Sequence, residues 1–207
     1  TFSTMTQTKQ TQIRKRNVKK VVKSVLLAQS ELKYNVISQA PVVATTAGVV
    51  IPITQAIIQG DQTNQRNGNK IYLRRMDIRF NAQLPTLGLF GAIRLVMVVD
   101  HLNTGVLPAT TDILNAASTT SPPSVLSTIN KRFTFVEDKV FPLVVGGADQ
   151  LVHWEWNKRQ QRAVTYNGTI SNTAANGKNA IFVLVITDLA LNSPEYRFDV
   201  GVHYTDS

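Results

Sequence analysis

From Leu32 onward the chain is written in short apolar segments broken by turns, and this punctuation leaves little room for anything but an all-β fold. The clearest segment is 70–84, where Ile71, Leu73, Ile78 and Phe80 alternate with Lys, Arg and Asp as in a strand buried on one face. Its alternation slips at Arg74 and Arg75, which predicts a kink there. Residues 32–40, 91–99, 132–136, 139–145, 150–157, 179–188 and 196–205 bring the count to eight strands. The stretch 41–54 is small and β-branched, with Gly48 and Pro52, and reads as a loop or an edge. One short helix is predicted in the body, over 111–117 and capped by Thr110 or Thr111, followed by a polar loop over 118–124. Val152, Trp154 and Trp156 share a strand face, opposite Leu151, His153 and Glu155. This spacing is that of a sandwich or barrel, and nothing repeats at a solenoid period.

Ahead of this body lies a segment of another kind. The first 30 residues hold seven basic side chains, Lys9, Arg14, Lys15, Arg16, Lys19, Lys20 and Lys23, and no Asp or Glu. They supply +7 of the net +9, so residues 31–207, with 15 basic and 13 acidic side chains, are left at +2. Residues 1–12 are rich in Thr and Gln and are expected to be disordered in isolation. Over 16–28 a helical wheel puts Val18, Val21, Val22, Val25 and Leu26 on one side and Arg16, Lys19, Lys20 and Lys23 on the other. This predicts a short amphipathic helix, marginal alone and formed when its apolar side meets neighbours or its basic side meets phosphate. A solvated surface helix and a membrane-surface helix are the other readings, the latter weakened by the lack of Trp or Phe on the apolar side. The chain therefore divides into a basic arm, 1–29, and one body domain, 30–207. A block of like charge is most simply explained by a polyanionic partner, because Lys and Arg gain affinity by releasing counterions from phosphates.

Several classes of function find no footing. There is no cysteine, hence no disulfide framework, thiolate metal site or Cys nucleophile. The longest apolar runs, 93–99 and 180–186, fall short of the roughly 20 residues that span a bilayer, and the basic N-terminus lacks a signal peptide's apolar core. A mitochondrial presequence is the rival reading of that terminus. His101, His153 and His203 are scattered, and no phosphate-binding glycine loop or nucleophile elbow occurs, so an enzyme is not expected. Asp100 with His101 can be drawn as half of an acid–base site, but Asp at a strand end is commoner in turns. Asn167-Gly168-Thr169 fits a glycosylation sequon and reads better as a turn; Trp154 and Trp156 could stack on bases, but their phase favours the core.

Two stretches resemble the coat proteins of small plant satellite viruses of the satellite tobacco necrosis virus type. The first runs over 57–71, Ile57-Ile58-Gln59-Gly60-Asp61, then Asn64-Gln65-Arg66, then Gly68 before a strand. The second pairs Ala180-Ile181-Phe182-Val183-Leu184 with Tyr204-Thr205-Asp206-Ser207, and Lys131-Arg132-Phe133-Thr134 and Tyr166-Asn167-Gly168 follow the family in the same order. Similar G-D and R-x-G segments occur in coats of small circular single-stranded DNA viruses. The resemblance implies an eight-stranded jelly-roll sandwich with a basic arm, a coat protein that assembles inside the host cell into a virion shell. With minimal icosahedral symmetry, about 60 copies would place about 420 arm charges inside, on Lys9, Arg14, Lys15, Arg16, Lys19, Lys20 and Lys23 of each. The expected partners are further copies of the chain and a single-stranded nucleic acid, RNA ahead of DNA, with no membrane. A non-viral nucleic-acid-binding β-barrel and a β-sandwich lectin or adhesion domain are the rival readings.

The resemblance also implies calcium at subunit interfaces, held by carboxylates and carbonyl oxygens. By motif, Asp61 keeps one family carboxylate, Asp206 keeps another, Glu31 stands for one at the start of the first strand, and Asn67 offers a backbone carbonyl. Lys70 departs from the family pattern, which has a side-chain oxygen there. The expectation is that the Lys70 ammonium replaces the ion at the Glu31, Asn67 and Asp206 site as an intersubunit salt bridge. At Asp61, symmetry-related carboxylates would repel unless they bind a cation or protons.

Overall fold

The computed structural model describes residues 31–85, 90–102, 105–125, 129–144, 151–169 and 175–206, together with Val18 and Val21. Eight strands carry the body: β1 (Leu32–Val43), β2 (Val49–Pro52), β3 (Lys70–Gln83), β4 (Phe90–Asp100), β5 (Phe133–Val144), β6 (Leu151–Thr165), β7 (Ala180–Thr187) and β8 (Glu195–Asp206). They form two four-stranded sheets, in the orders β1-β8-β3-β6 and β2-β7-β4-β5, with every neighbouring pair antiparallel. A 3-10 turn (Thr54–Ala56) and one helical turn, α1 (Thr110–Ile113), complete the described regular elements of the body. The seven basic arm residues, and Val22, Val25 and Leu26 of the expected helix, lie outside the described residues. Val18 and Val21 are helical and exposed.

The sheets face each other across one core. Ile71, Leu73, Met76, Ile78 and Phe80 of β3 meet Ile93, Leu95, Met97 and Val99 of β4, with Ile181, Val183 and Val185 of β7 and the inward side chains of β8. Phe80 stands in its middle, stacked on Phe141 at 5.3 Å and on Tyr196 at 6.2 Å. β3 alternates in sequence because its other face is open. By contrast, β4 and β7 read as unbroken apolar runs because both of their faces are covered. Val96, Val98, Ala180, Phe182 and Leu184, on the outer face of their sheet, pack against Ile113, Leu114 and Phe133 in a second small core. The excursion between β4 and β5 supplies that cover and is pinned by Arg94 on β4. This guanidinium pairs with both oxygens of Asp138 at 2.7 Å and donates to the carbonyls of Thr119 and Ser121 at 3.0 and 2.6 Å.

The eight-strand count holds with a different membership. The strands expected over 132–136 and 139–145 are, in their described residues 133–136 and 139–144, the single strand β5, and the eighth strand is β2, an edge strand paired to β7 within the stretch read as loop or edge. The charged run at Glu137 and Asp138 is not a turn, since each carboxylate has a partner beside the strand. Asp138 takes Arg94, and Glu137 accepts from Trp156 Nε1 at 2.7 Å. The register shifts by one residue there, with Val136 of β5 as the extra residue opposite Met97 and Val98 of β4. β2 is entered through Gly48, whose φ of +77° suits a residue without a Cβ. The predicted kink in β3 is present, because the register slips between Leu73 and Arg75 against both neighbouring strands. The helix over 111–117 is shorter than expected, ending at Ile113, where the Ser124 N–H donates to the Ile113 carbonyl and draws the chain into a turn. Its N-cap is Ala109 and not Thr110 or Thr111; Asp112 Oδ2 accepts the Ala109 N–H at 2.9 Å.

Removing the Phe80 ring opens a cavity that its stacked neighbours cannot fill. We expect Phe80→Ala to cost about 3–5 kcal/mol in urea unfolding, against less than about 0.5 kcal/mol for Arg79→Ala on the open face.

Candidate functional site

The loop between β2 and β3 is folded around one side chain. Arg66 is wholly buried, and its guanidinium donates to three carbonyls: Ile57 at 3.1 Å, Gly68 and Gly168. It lies 4.0 Å over the ring of Tyr166, whose hydroxyl donates to the Thr54 carbonyl. Burial pulls the guanidinium below its usual range, and Tyr166 and Asp206 work against that shift. Arg66 therefore gathers the 3-10 turn, the loop and the turn after β6 about one planar cation. This gives the Arg of the I-I-Q-G-D…N-Q-R segment a structural part, and it is not placed to meet a polyanion. Nothing local in the sequence marks this role, because an Arg in a polar loop looks like a surface residue.

Next to it, on the first strand of the body, stands a second buried cation. Lys33 is 3% exposed and points to the inner side of β1, while Leu32, Tyr34 and Val36 point outward and are exposed. Its ammonium donates to the Gln65 carbonyl at 2.8 Å and to Asn67 Oδ1 at 2.9 Å, and pairs with Asp206 Oδ2 at 2.8 Å. The other Asp206 oxygen accepts the Asn67 N–H at 3.2 Å. Two of the expected calcium ligands, Asn67 and Asp206, are thus brought together, but around Lys33. Lys70 opens β3 and Glu31 precedes β1, both exposed; Asp61 is exposed in the loop. Among the described residues no three Asp, Glu, His or Cys side chains gather into a metal site. The alternation of Lys33 with Leu32 and Tyr34 is the available signal, although hydrophobicity alone would put Leu32 and Tyr34 on the buried face.

The outer face of the β1-β8-β3-β6 sheet is open. It holds a concavity of about 680 Å³ lined by Tyr34, Arg75, Asp77, Arg79, Glu155 and Asp199 among others. Tyr34 lies over Gly201, where an added Cβ would come within 2.8 Å of the phenol oxygen, and is tilted against the His203 ring at 4.6 Å. Arg75 and His203 pair with Asp77 at 2.8 and 2.9 Å, and Arg79 with Glu155 at 3.5 Å. Signs alternate, so this face presents no concentrated basic field.

The residues drawn as a catalytic half-site are not aimed at each other. Asp100 is buried against Arg132, accepts the Leu102 N–H at 2.9 Å and closes a turn; His101 meets Asn179 and Thr134. Trp156 is buried and Trp154 packs edge-on against Phe141, so both serve the core. Asn167 sits in a turn, its side chain donating to the Asn176 carbonyl at 3.0 Å.

Comparison with known proteins places these observations. The family model described as satellite tobacco necrosis virus coat protein matches residues 5–207. The coat protein of Maize white line mosaic Satellite virus is 32% identical over 194 residues, 93% of this chain and 89% of that protein. The coat protein of Satellite tobacco necrosis virus 2 is 32% identical over 208 residues, 98% of this chain and all of its own length. The capsid protein of Satellite tobacco necrosis virus 1 is 28% identical over 165 residues, 78% and 80% of the two chains.

Two outcomes follow from these geometries. Arg66→Met leaves buried carbonyls without a donor and Arg66→Lys reaches too few of them, so both are expected to lose about 3 kcal/mol or more in denaturant unfolding. Burial raises the phenol of Tyr196 from 10.0 to about 12, and those of Tyr166 and Tyr204 higher still. The hydroxyls of Tyr196 and Tyr204 are buried with no hydrogen-bond partner among the described residues. In the window from pH 10 to about 12 the folded chain keeps protons that the unfolded chain has lost. The stability from these phenols is complete below pH 10 and is lost as the pH rises toward 12. The melting temperature should fall steeply across that window, with the phenolate absorbance of these tyrosines rising together with unfolding.

Proposed function

Because the chain belongs to the satellite tobacco necrosis virus coat protein family and is a viral coat protein of the virion, we propose that it packages its genome through the arm. In this reading the body is a jelly roll, copies of it close into an icosahedral shell of about 60 subunits, and the arm holds a single-stranded nucleic acid, RNA ahead of DNA. The observation that carries the packaging step is the division of charge, +7 on the first 30 residues against +2 on the rest. The body's strand order supports the fold, since β8 between β1 and β3 and β7 between β2 and β4 is the arrangement two interleaved Greek keys produce.

The placement of the arm supports the direction of packaging. It joins the body at β1, an edge strand of the sheet with the open outer face, while the other sheet is covered by the β4–β5 excursion. Arm and open face thus belong to one side of the subunit, and that side faces the genome. Lys33, Arg66 and Arg94 of the body are buried and held by contacts within the chain, whereas Lys9, Arg14, Lys15, Arg16, Lys19, Lys20 and Lys23 form the one block of like charge, and this supports phosphate neutralisation by the arm. A calcium ion at Asp61 would need carboxylates from neighbouring copies, as at a symmetry axis.

Deleting residues 1–27 should give protein whose particles lack nucleic acid, read as the ratio of absorbance at 260 and 280 nm. Retention at the wild-type level would sink the arm as the packaging element. Binding of an unstructured oligonucleotide by full-length subunits should weaken with salt, with a log–log slope approaching about −5 if all seven charges meet phosphate.

A further inference from the structure

The oxygen atoms around Lys33 form the donor set that a hard cation takes: a main-chain carbonyl, a side-chain amide oxygen and a carboxylate, all within 2.9 Å of one point. That point is an ammonium nitrogen. Its three N–H groups are all used, and both Asp206 oxygens are committed, one to Lys33 and one to the Asn67 N–H. The calcium expected at Glu31, Asn67 and Asp206 therefore does not fit the residues present, because the Asp206 carboxylate that it would need is held by a charge that belongs to the chain.

We propose that Lys33 is the resident cation of this cage. Its ammonium ties together the start of β1, the loop before β3 and the end of β8, as a metal would, without being drawn from solution. The cage takes no divalent ion while Lys33 is present, and becomes a site for one when the ammonium is removed. Two further features favour this assignment. Lys33 sits at an inward position of β1 where an apolar side chain would otherwise point, so its burial is retained for the contact and not for packing. The paired Asp206 is partly buried, at 25% exposure, and would be left uncompensated without a cation. This inference concerns the body alone and does not depend on how the arm binds nucleic acid.

The test uses full-length protein carrying Asp61→Asn, which removes the other expected calcium ligand, and follows thermal unfolding in EDTA and in millimolar calcium chloride. With Lys33 present, the melting temperature should be the same in both. Lys33→Ala should lower it by about 10 °C in EDTA, and calcium chloride should restore part of the loss. Adding Asp206→Asn to Lys33→Ala should abolish the restoration. The proposal is overturned if calcium stabilises the protein that retains Lys33 and Asp206→Asn removes that gain. It is overturned equally if Lys33→Ala melts unchanged, or if its loss is untouched by calcium. Should Lys33→Ala fail to fold, calorimetric calcium titration of the Asp61→Asn protein with Lys33 in place decides. No binding supports the resident ammonium, and binding that Asp206→Asn abolishes refutes it.

Discussion

Burial of β4 and β7 on both faces is the constraint from which the rest of the body follows. A strand can present apolar side chains in both directions only if two layers cover it, and here the second layer is the excursion between β4 and β5. The cover is held by a charge: Arg94, pointing out of β4 among apolar neighbours, needs Asp138 and the carbonyls of Thr119 and Ser121 to be tolerable there. Arg132 on Asp100 fixes the other end of the same excursion. With one sheet sealed in this way, the opposite sheet is left with the open outer face, and the subunit acquires two unlike sides.

Much of this architecture was legible in the sequence because one-sided burial leaves an alternating record. β3 shows it, together with the slip at Arg74 and Arg75 that became a bulge against both neighbours. What could not be read are the places where polar groups are neutralised by residues far away in the chain. Glu137 and Asp138 looked like a turn until Trp156, Lys158 and Arg94 were placed beside them. β6 runs on past Asn157 through a strongly polar segment because its partner β3 continues, a fact about pairing and not about composition.

The candidate site divides along the same line. The arm announces itself by local charge, which needs no tertiary context. The cage and the Arg66 keystone are non-local: Lys33 meets Gln65, Asn67 and Asp206, and Arg66 meets Ile57 and Gly168, from segments distant in sequence. Phase misleads as well. In β1 the bulky Leu32, Tyr34 and Val36 face outward and Lys33 faces inward, the reverse of what hydrophobicity alone would choose. A rule that assigns the larger side chains to the core fails on this strand, since Tyr34 lies instead on the outer face, over Gly201 and against His203.

β8 lies between β1 and β3 and follows every other strand in sequence. Until it is in place, β1 has no described sheet neighbour and β3 is paired on one side only. During synthesis the charged arm would therefore emerge well before the sheet that it is joined to has formed. The sheet closes late, by pairings that span most of the chain, and such topologies fold slowly. In a chain made from its N-terminus, the sheet joined to the arm is thus the last part of the body that can be completed, and loss of β8 would leave β1 without its partner.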